Sequence, residues 1–359
     1  MDEDNYPFHP LSESFLIHFT LFLLTEMFIR PFSPLFFITC SISAGYARGP
    51  GAGWGVNYDN KMQRSSAQDL YPVEPTIGQW TTSKSLQGAL PIDDATFRSV
   101  NILSGTTRRV LTAPDGVVSM EAFYPSGSYN PSHTPRGGFS FYAPGPGDVD
   151  LTTAREATFA YTVLFPAGFD WVKGGKLPGF CAYPFLVIYI FSWNKRNLPL
   201  TFCLTVGGRD FDTAIGCSGG RKATDCFSVR LMWRKNGMGE FYTYLPPFTI
   251  PGYGANEAQC HVPPYSECNP QYGNSIGRGA FSFTPSERGT VAMRVLLNDA
   301  GVANGEIQLW YNGASVISLG GLIIRDSDEG RIRGLMMQTF FGGKWRMRPF
   351  RLYGPTIRR

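Results

Sequence analysis

Histidine is scarce in this chain of 359 residues: there are four, and only His133 and His261 lie beyond the first 47 positions. Serine–histidine–aspartate sites, cysteine–histidine sites and metal sites built on several histidines all depend on that residue type. The sequence therefore nearly excludes these three kinds of site. It also contains no phosphate-binding glycine loop and no dinucleotide-binding fingerprint.

Helical periodicity is missing as well, and no segment repeats at a fixed period. Charged residues make up 17% of the chain, whereas there are 41 glycines, 27 prolines and 14% aromatic residues, which favours short strands joined by turns. From about residue 94 onward, strand-like runs follow one another at short spacing, and Asn312-Gly313 predicts a two-residue hairpin turn. We therefore expect an all-β protein, either a two-sheet sandwich or a jelly roll.

No apolar run reaches the roughly 20 residues that a membrane-spanning helix needs. From Met27, a short basic opening is followed by an apolar stretch and by small residues up to Ala47, as in a secretory signal. We therefore predict that residues 1–47 are signal-like and that Met27 is the true start, because the acidic leader before it suits a signal poorly. The alternative is a buried N-terminal hydrophobic element. Residues 48–68 then form a loose lead-in, and 69–359 form one domain.

Without residues 1–47, the chain carries 31 basic residues against 23 acidic ones. Such an excess favours a polyanionic partner, although dispersed positive charge is also typical of an ordinary solvated surface. No cluster of lysine and arginine resembles a nucleic-acid-binding arm. We expect an acidic polysaccharide partner, no nucleic acid, no stable membrane association once the signal is removed, and a monomer.

Seven cysteines are an odd number for a secreted protein. Cys40 would leave with the signal, and Cys181 and Cys203 lie in an unusually apolar segment. The other four form two close pairs, for which we predict short-range disulfides in an oxidising, extracellular compartment: Cys217 with Cys226, and Cys260 with Cys268.

Polar and aromatic side chains alternate with apolar ones in two successive predicted strands. Ser228 and Arg230 share one face of the first strand, and Tyr242 and Tyr244 share one face of the next, across the turn 235–237. An antiparallel pair would bring the four side chains together. Arginine matches a carboxylate, and tyrosine can transfer a proton if nearby cations lower its pKa. The alternative is an amphipathic hairpin with a polar face toward solvent.

An ordered set of motifs between about residues 70 and 343 resembles polysaccharide lyases of families 14 and 20, which include alginate lyases and glucuronan lyases. The motifs are EAFYPSGSYNP, WVKGGKLPG, CSGG, FSVRLMWRKNGMGEFYTY, LLNDAGVANGEIQLWYNG and GRIRGLMMQTFFGG. The resemblance implies a β-jelly roll of two antiparallel sheets, one of them concave and forming a cationic groove for a polyuronate chain. It also implies a set of site residues: Lys176, Arg230, Tyr242 and Tyr244 as catalytic, and Ser228 and Gln338 as substrate-binding.

A uronate lyase neutralises the C6 carboxylate, removes the C5 proton and protonates the departing O4. By resemblance, Lys176 and Arg230 balance the negative charge, while Ser228 orients the sugar. Tyr242 or Tyr244 is base, acid or both, and Lys176 is the alternative base if desolvation lowers its pKa. Calcium is plausible by analogy with related lyases, but no acidic ligand cluster requires it, and we assign no metal ligand.

We therefore expect a secreted polysaccharide lyase that cleaves glucuronan or alginate by β-elimination. The alternatives are a non-catalytic polysaccharide-binding jelly roll and a structural surface protein without a saccharide site. The chain departs from the family pattern twice: residues 181–206 form an apolar insert after the WVKGGKLPG motif, and the tail after Gly343 fits poorly. We interpret the insert as an unspliced intron or a gene-model error. If it is real, it is a loop beside the groove that buries itself or aggregates and compromises activity.

Overall fold

The structure is a computed structural model that describes residues 35–45, 78–171, 174–181, 217, 224–269 and 271–342. Within this part of the chain there are fourteen strands and one four-residue α-helix, α1 (Asp94–Phe97). The strands are β1 (Leu35–Gly45), β2 (Gly78–Thr81), β3 (Val110–Thr112), β4 (Val118–Phe123), β5 (Phe139–Ala143), β6 (Glu156–Leu164), β7 (Gly175–Cys181), β8 (Ser228–Trp233), β9 (Met238–Tyr244), β10 (Asn274–Ser282), β11 (Arg288–Leu296), β12 (Gly305–Tyr311), β13 (Ala314–Leu322) and β14 (Gly334–Phe341). Three 3-10 helices complete the described elements: Leu151–Thr153, Lys235–Gly237 and Gly254–His261. The all-β prediction is confirmed.

The strands form two antiparallel sheets. The larger sheet has the order β13-β12-β11-β6-β1-β4-β3, with β2 paired to β1, and the smaller has the order β10-β9-β8-β7-β14-β5. Both sheets contribute to one core, as in the contact between Phe159 of β6 and Phe180 of β7, whose ring centroids lie 6.1 Å apart. This arrangement is the predicted β-jelly roll.

The predicted hairpin at Asn312-Gly313 is confirmed, since β12 ends one residue before it and β13 begins one residue after it. Asn312 has a φ of 48° and Gly313 a φ of 78°, values that a two-residue turn between twisted strands needs and that asparagine and glycine tolerate. Local turn chemistry therefore sets the pairing of Tyr311 with Ala314, whereas irregularities shift the register farther along the two strands.

Alternation along β8 separates the core from the opposite face of the smaller sheet. Val229, Leu231 and Trp233 are fully buried against the other sheet. Trp233 packs edge-to-face against Phe165 and Phe341, with ring centroids 5.6 and 5.4 Å away, a geometry that adds about 0.5–1.5 kcal/mol per pair beyond burial. The intervening residues of β8 therefore point to the outer face, where the predicted site residues lie.

β1 lies inside the larger sheet and joins its two parts. Leu35–Ile38 pair with β4, Phe37–Gly45 pair with β6, and Ser41–Ala44 pair with β2. A chain cleaved near Ala47 would lack this strand, so the sheet described here belongs to the uncleaved chain. The signal assignment of residues 1–47 stays a prediction, and the lead-in 48–68 falls outside the described residues.

Both predicted disulfides are present. Cys217 and Cys226 are bonded with Cα atoms 5.9 Å apart, and Cys260 and Cys268 with Cα atoms 5.3 Å apart. Such bonds are typical of an oxidising compartment. Of the apolar insert, only the backbone of Cys181 at the end of β7 belongs to the described residues, and the tail after Gly342 also lies outside them. No helix in the described segments is long and apolar enough to cross a bilayer.

Candidate active site

The register of the smaller sheet brings the predicted site residues onto its outer face. Tyr244 lies opposite Ser228, and Tyr242 lies opposite Arg230. Lys176 of β7 is paired with the residue two positions beyond Arg230, so its side chain lies next to the same hairpin. The Nζ atom of Lys176 is 3.9 Å from the ring centroid of Tyr242 and 5.1 Å from that of Tyr244. The structure therefore assembles the predicted residues in one place.

An irregularity in β7 sets the position of Lys176 relative to Arg230. Leu177 pairs with Leu231, but Gly179 pairs with Arg230, so that Pro178 is an extra residue. Proline has no amide hydrogen for the ladder, and a bulge accommodates it. Since bulges redirect side chains, this one helps to place Lys176 on the face that carries Arg230.

Gly179 is required at its position because β8 passes very close to it. A Cβ atom on Gly179 would lie 2.3 Å from the carbonyl oxygen of Val229 and 2.5 Å from the Cα atom of Arg230, both backbone atoms that cannot move independently. We expect Gly179→Ala to destabilise the protein by about 1–3 kcal/mol through overpacking and to displace Arg230. Thermal unfolding measures this effect. Gly320→Ala on β13 is the matched control, since its nearest neighbour is a side-chain atom 3.7 Å away; equal destabilisation in both would contradict the assignment.

Arg230 is a buried cation, with 1% of its surface exposed. Its Nη1 atom donates to Oε1 of Gln338 at 2.8 Å and contacts the Met336 sulfur at 3.2 Å. Nε2 of Gln338 donates to Oγ of Ser140 at 2.9 Å, which fixes the amide with its oxygen toward Arg230. In the described part of the chain, Nε of Arg230 has no hydrogen-bond partner and no carboxylate pairs with the guanidinium. Buried charges are normally paired, so this arrangement favours binding of an anion.

Ser228 occupies its predicted place, but its hydroxyl group is already engaged. It is fully buried, and its Oγ donates to the carbonyl oxygen of Cys217 at 2.9 Å. Cys217 is the disulfide partner of Cys226, so Ser228 anchors this short covalent loop beside the site. Its geometry here suits holding that loop better than orienting a sugar.

Burial dominates the protonation of Lys176, which is 8% exposed. Desolvation, followed by repulsion from Arg230 and Arg234, lowers its pKa well below the usual value for lysine, and the carboxylate of Glu240 opposes this shift. Desolvation favours the neutral amine because a charge is costly in a medium of low polarity. Lys176 can therefore accept a proton under conditions in which an exposed lysine cannot.

The pKa of Tyr242 is raised, not lowered. Burial raises its pKa above the usual value, and the neighbouring Tyr244 adds to the increase. Arg234 and Arg230 act in the other direction without reversing it. Nearby cations favour the phenolate, but the cost of desolvating it outweighs that attraction. Tyr242 is therefore a protonated phenol that can donate, and it is hydrogen-bonded to Tyr244, whose ring centroid is 5.7 Å away.

Sequence reasoning missed a charged network beside these residues. Glu240 has a side-chain exposure of 0%, and it accepts hydrogen bonds from Nε of Arg234 at 2.7 Å and from Nε of Arg278 at 2.8 Å. The signal was present in the alternation of β9, since Glu240 precedes Tyr242 by two residues and therefore shares its face. The partner Arg278 on β10 was not accessible to such reasoning, because an irregularity between Ile276 and Phe281 shifts that strand.

A cleft of about 160 Å³ opens beside Tyr244 at the other end of the hairpin. Its lining is aromatic and amide-rich, with Phe248, Tyr272 and Asn274 among the contributing side chains. Aromatic faces and amides suit a sugar ring and its hydroxyl groups. Among the described residues, no group of three histidine, cysteine, aspartate or glutamate side chains is placed to hold a metal ion.

The chain is similar to a known protein family and to solved structures. The family model polysaccharide lyase 14 matches residues 112–184 and 191–347, and the break between them falls within the apolar insert. The structure of the marine PL-14 alginate lyase from Aplysia kurodai is similar, with 26% sequence identity and a TM-score of 0.50 over 69% of this chain and 83% of that one. An alginate lyase from a Chlorella virus has 20% identity and a TM-score of 0.49 over 69% and 85% of the two chains. No curated protein sequence gives a significant match. The family model covers well over half of the residues, and the chain therefore belongs to polysaccharide lyase family 14.

Proposed function

We propose that the protein is a secreted lyase that cleaves an acidic polyuronate, glucuronan or alginate, by β-elimination. The observation that carries this proposal is Arg230, a buried guanidinium with an unused Nε donor and no carboxylate partner among the described residues. It lies beside Lys176 and two tyrosines on the outer face of a polysaccharide lyase 14 fold. An anionic group of a substrate is the partner that this arrangement favours, and the Aplysia kurodai relative is itself an alginate lyase.

The first task of the site is to neutralise the C6 carboxylate of the bound uronate. Arg230 provides the positive charge and the free donor, while Gln338 holds the guanidinium in place. Loss of the C5 proton moves negative charge onto the carboxylate group, so a fixed cation there stabilises the transition state more than the ground state.

The second task is to move two protons. Lys176, as a neutral amine, takes the proton from C5, and the electron pair of that C–H bond forms the C4–C5 double bond. The C4–O4 bond breaks, and Tyr242 donates its phenolic proton to the departing O4. Lys176 is then an ammonium ion and Tyr242 a phenolate. A proton returns from the first to the second, for which Tyr244 is a suitable relay because it contacts both residues.

The product supplies a direct test, because an unsaturated uronate absorbs ultraviolet light. The protein is incubated with glucuronan, with alginate and with a neutral glucan as the matched control, and absorbance is followed over time. Absorbance that rises only with a polyuronate supports the lyase. Binding of a polyuronate without absorbance supports the non-catalytic alternative, which the near-complete burial of the site residues keeps open. If the protein neither binds a polyuronate nor produces absorbance, the proposal is overturned.

Secretion as a monomer belongs to the same proposal. The two disulfides support an oxidising compartment. N-terminal sequencing of the secreted protein tests the signal, and its molar mass in solution tests the monomer. Transcript sequencing across residues 180–207 tests the insert, and abundant mature message containing it would refute the gene-model error.

A further inference from the structure

The charged network around Glu240 combines a sealed carboxylate with two accessible cations. Oε1 of Glu240 lies 2.6 Å from Nη2 of Arg234 in addition to its bond with Nε, and Oγ of Ser275 donates to Oε2 at 2.5 Å. Arg234 and Arg278 nevertheless keep 22% and 24% of their side chains exposed. The carboxylate is therefore inaccessible to a ligand, whereas both arginine side chains are partly exposed.

This network continues the proposed active site along the same face of the sheet. Arg234 follows Arg230 by four residues, and its guanidinium carbon lies 5.8 Å from the ring centroid of Tyr242. The same ring lies 3.9 Å from Nζ of Lys176. One aromatic ring thus separates the proposed base from a second cationic centre.

The two arginines retain hydrogen-bonding capacity. Arg234 uses Nε and Nη2 on Glu240, while Arg278 uses Nε on Glu240 and Nη2 on Ser275. Within the described residues, no hydrogen bond engages Nη1 of either arginine. Glu267 is a weaker partner, 3.7 Å from Nη2 of Arg278. A planar guanidinium with an unused edge is suited to a carboxylate.

An ion-pair network on the larger sheet shows the opposite stoichiometry. There, a single arginine, Arg294, is shared by Glu156 and Glu306, with distances of 2.6 and 2.7 Å. Around Glu240, one buried carboxylate is shared by two arginines. Glu267 is a second carboxylate near Arg278, but of the two carboxylates only Glu240 lies within hydrogen-bonding distance of the arginines.

We propose that Arg234 and Arg278, held in place by Glu240, bind the carboxylate of a second uronate next to the one that occupies Arg230. Glu240 is a positioning residue, and the two arginines determine specificity. The inference rests on the proposed function and deepens it: the groove recognises consecutive uronates, and a polysaccharide in which uronates are isolated between neutral sugars is a poor substrate.

The experiment compares KM and kcat for the cleaved polyuronate in the wild type and in Arg234→Gln. We expect KM to rise about tenfold, as for the loss of one charge-assisted hydrogen bond. Because Arg234 also lowers the pKa of Lys176, kcat is compared on the pH plateau, where it should stay within about threefold of the wild type. Arg294→Gln is the matched control, because it also removes a largely buried arginine from an ion-pair network, and its KM should not change. Arg234→Lys preserves the charge beside Glu240, so it controls for misfolding caused by an unpaired Glu240. Its KM should lie between those of the wild type and Arg234→Gln.

The role of Glu240 has a readout of its own. The Glu240 carboxylate raises the pKa of Lys176, so Glu240→Gln should move the acid limb of the pH–rate profile to lower pH. Glu156→Gln, which breaks the network on the other sheet, should leave the profile unchanged.

An unchanged KM in folded Arg234→Gln, or an equal rise in Arg294→Gln, overturns the second carboxylate site while leaving the lyase intact. If the wild type cleaves nothing, calorimetry with hexaglucuronate and hexamannuronate replaces KM, and a tenfold weaker Kd in Arg234→Gln supports the site. Wild-type protein that neither cleaves nor binds these probes overturns the proposed function and this inference together.

Discussion

Tyr242→Phe is expected to lower kcat by about 10²–10⁴-fold, the usual contribution of a general acid or base. Phenylalanine preserves the ring against which Lys176 lies, but it has no proton to give to the departing O4. Burial keeps the phenol of Tyr242 protonated in the wild type, so the substitution removes a proton that is available for transfer. The carboxylate-binding cations are untouched, and KM should change little.

The measurement is the rate of ultraviolet absorbance with saturating polyuronate, together with calorimetric binding of an oligouronate. Tyr311→Phe is the control, since Tyr311 is also a partly buried phenol but stacks on Phe281 away from the site, with ring centroids 4.6 Å apart. Tyr242→Phe that retains wild-type kcat would remove Tyr242 as the acid. A loss of binding equal to the loss of turnover would instead assign it to substrate binding.

Lys176→Arg is expected to have an effect of similar size, about 10²–10⁴-fold on kcat, although arginine supplies a positive charge at the same position. Arginine remains protonated and cannot accept the C5 proton. If Lys176 only neutralised the carboxylate, the arginine variant would retain most of its activity. The comparison with Lys176→Met, which removes charge and base together, therefore separates the two roles: equal losses identify the base, and a much milder loss in Lys176→Arg contradicts it.

The pH dependence follows from the same residue. The active form of Lys176 is the neutral amine, which exists above its pKa, and burial lowers that pKa well below the usual lysine value. Activity should therefore rise with pH through the lowered pKa and reach a plateau below the range in which free lysine titrates. The protonated form of Tyr242 is also required, and its raised pKa keeps that form present across the plateau. Profiles of kcat/KM against pH measure both limits.

The hairpin part of the site was predictable because it is local. A strand period of two places Ser228 with Arg230 and Tyr242 with Tyr244, and the short turn between the strands leaves little freedom in register. The structure pairs these residues directly. Lys176 and Gln338 were different: they reach the hairpin only through pairing of β7 with β8 and β14, and Gln338 is 108 positions from Arg230. Motif resemblance supplied them, since local pattern could not.

What the sequence could not provide depends on packing of the assembled sheets. The direction in which the pKa of Tyr242 shifts depends on the balance between burial and nearby cations. The alternation of polar and apolar residues does not indicate how deeply a side chain is buried. The hydroxyl of Ser228 is engaged by a loop carbonyl, which only the folded disulfide loop reveals. The second cation at Glu240 comes from Arg278, which lies within a strand irregularity between Ile276 and Phe281.

If residues 1–47 are cleaved as predicted, the position of β1 makes the order of folding and proteolysis decisive. Because Leu35–Gly45 is the only described link between β4 and β6, a polypeptide that lost it before folding would present two unpaired sheet edges facing each other. Open edges are templates for intermolecular pairing, so that polypeptide needs another segment in the gap or it will associate with its neighbours. The rate of cleavage relative to the rate at which the sheet forms would then set the yield of folded protein.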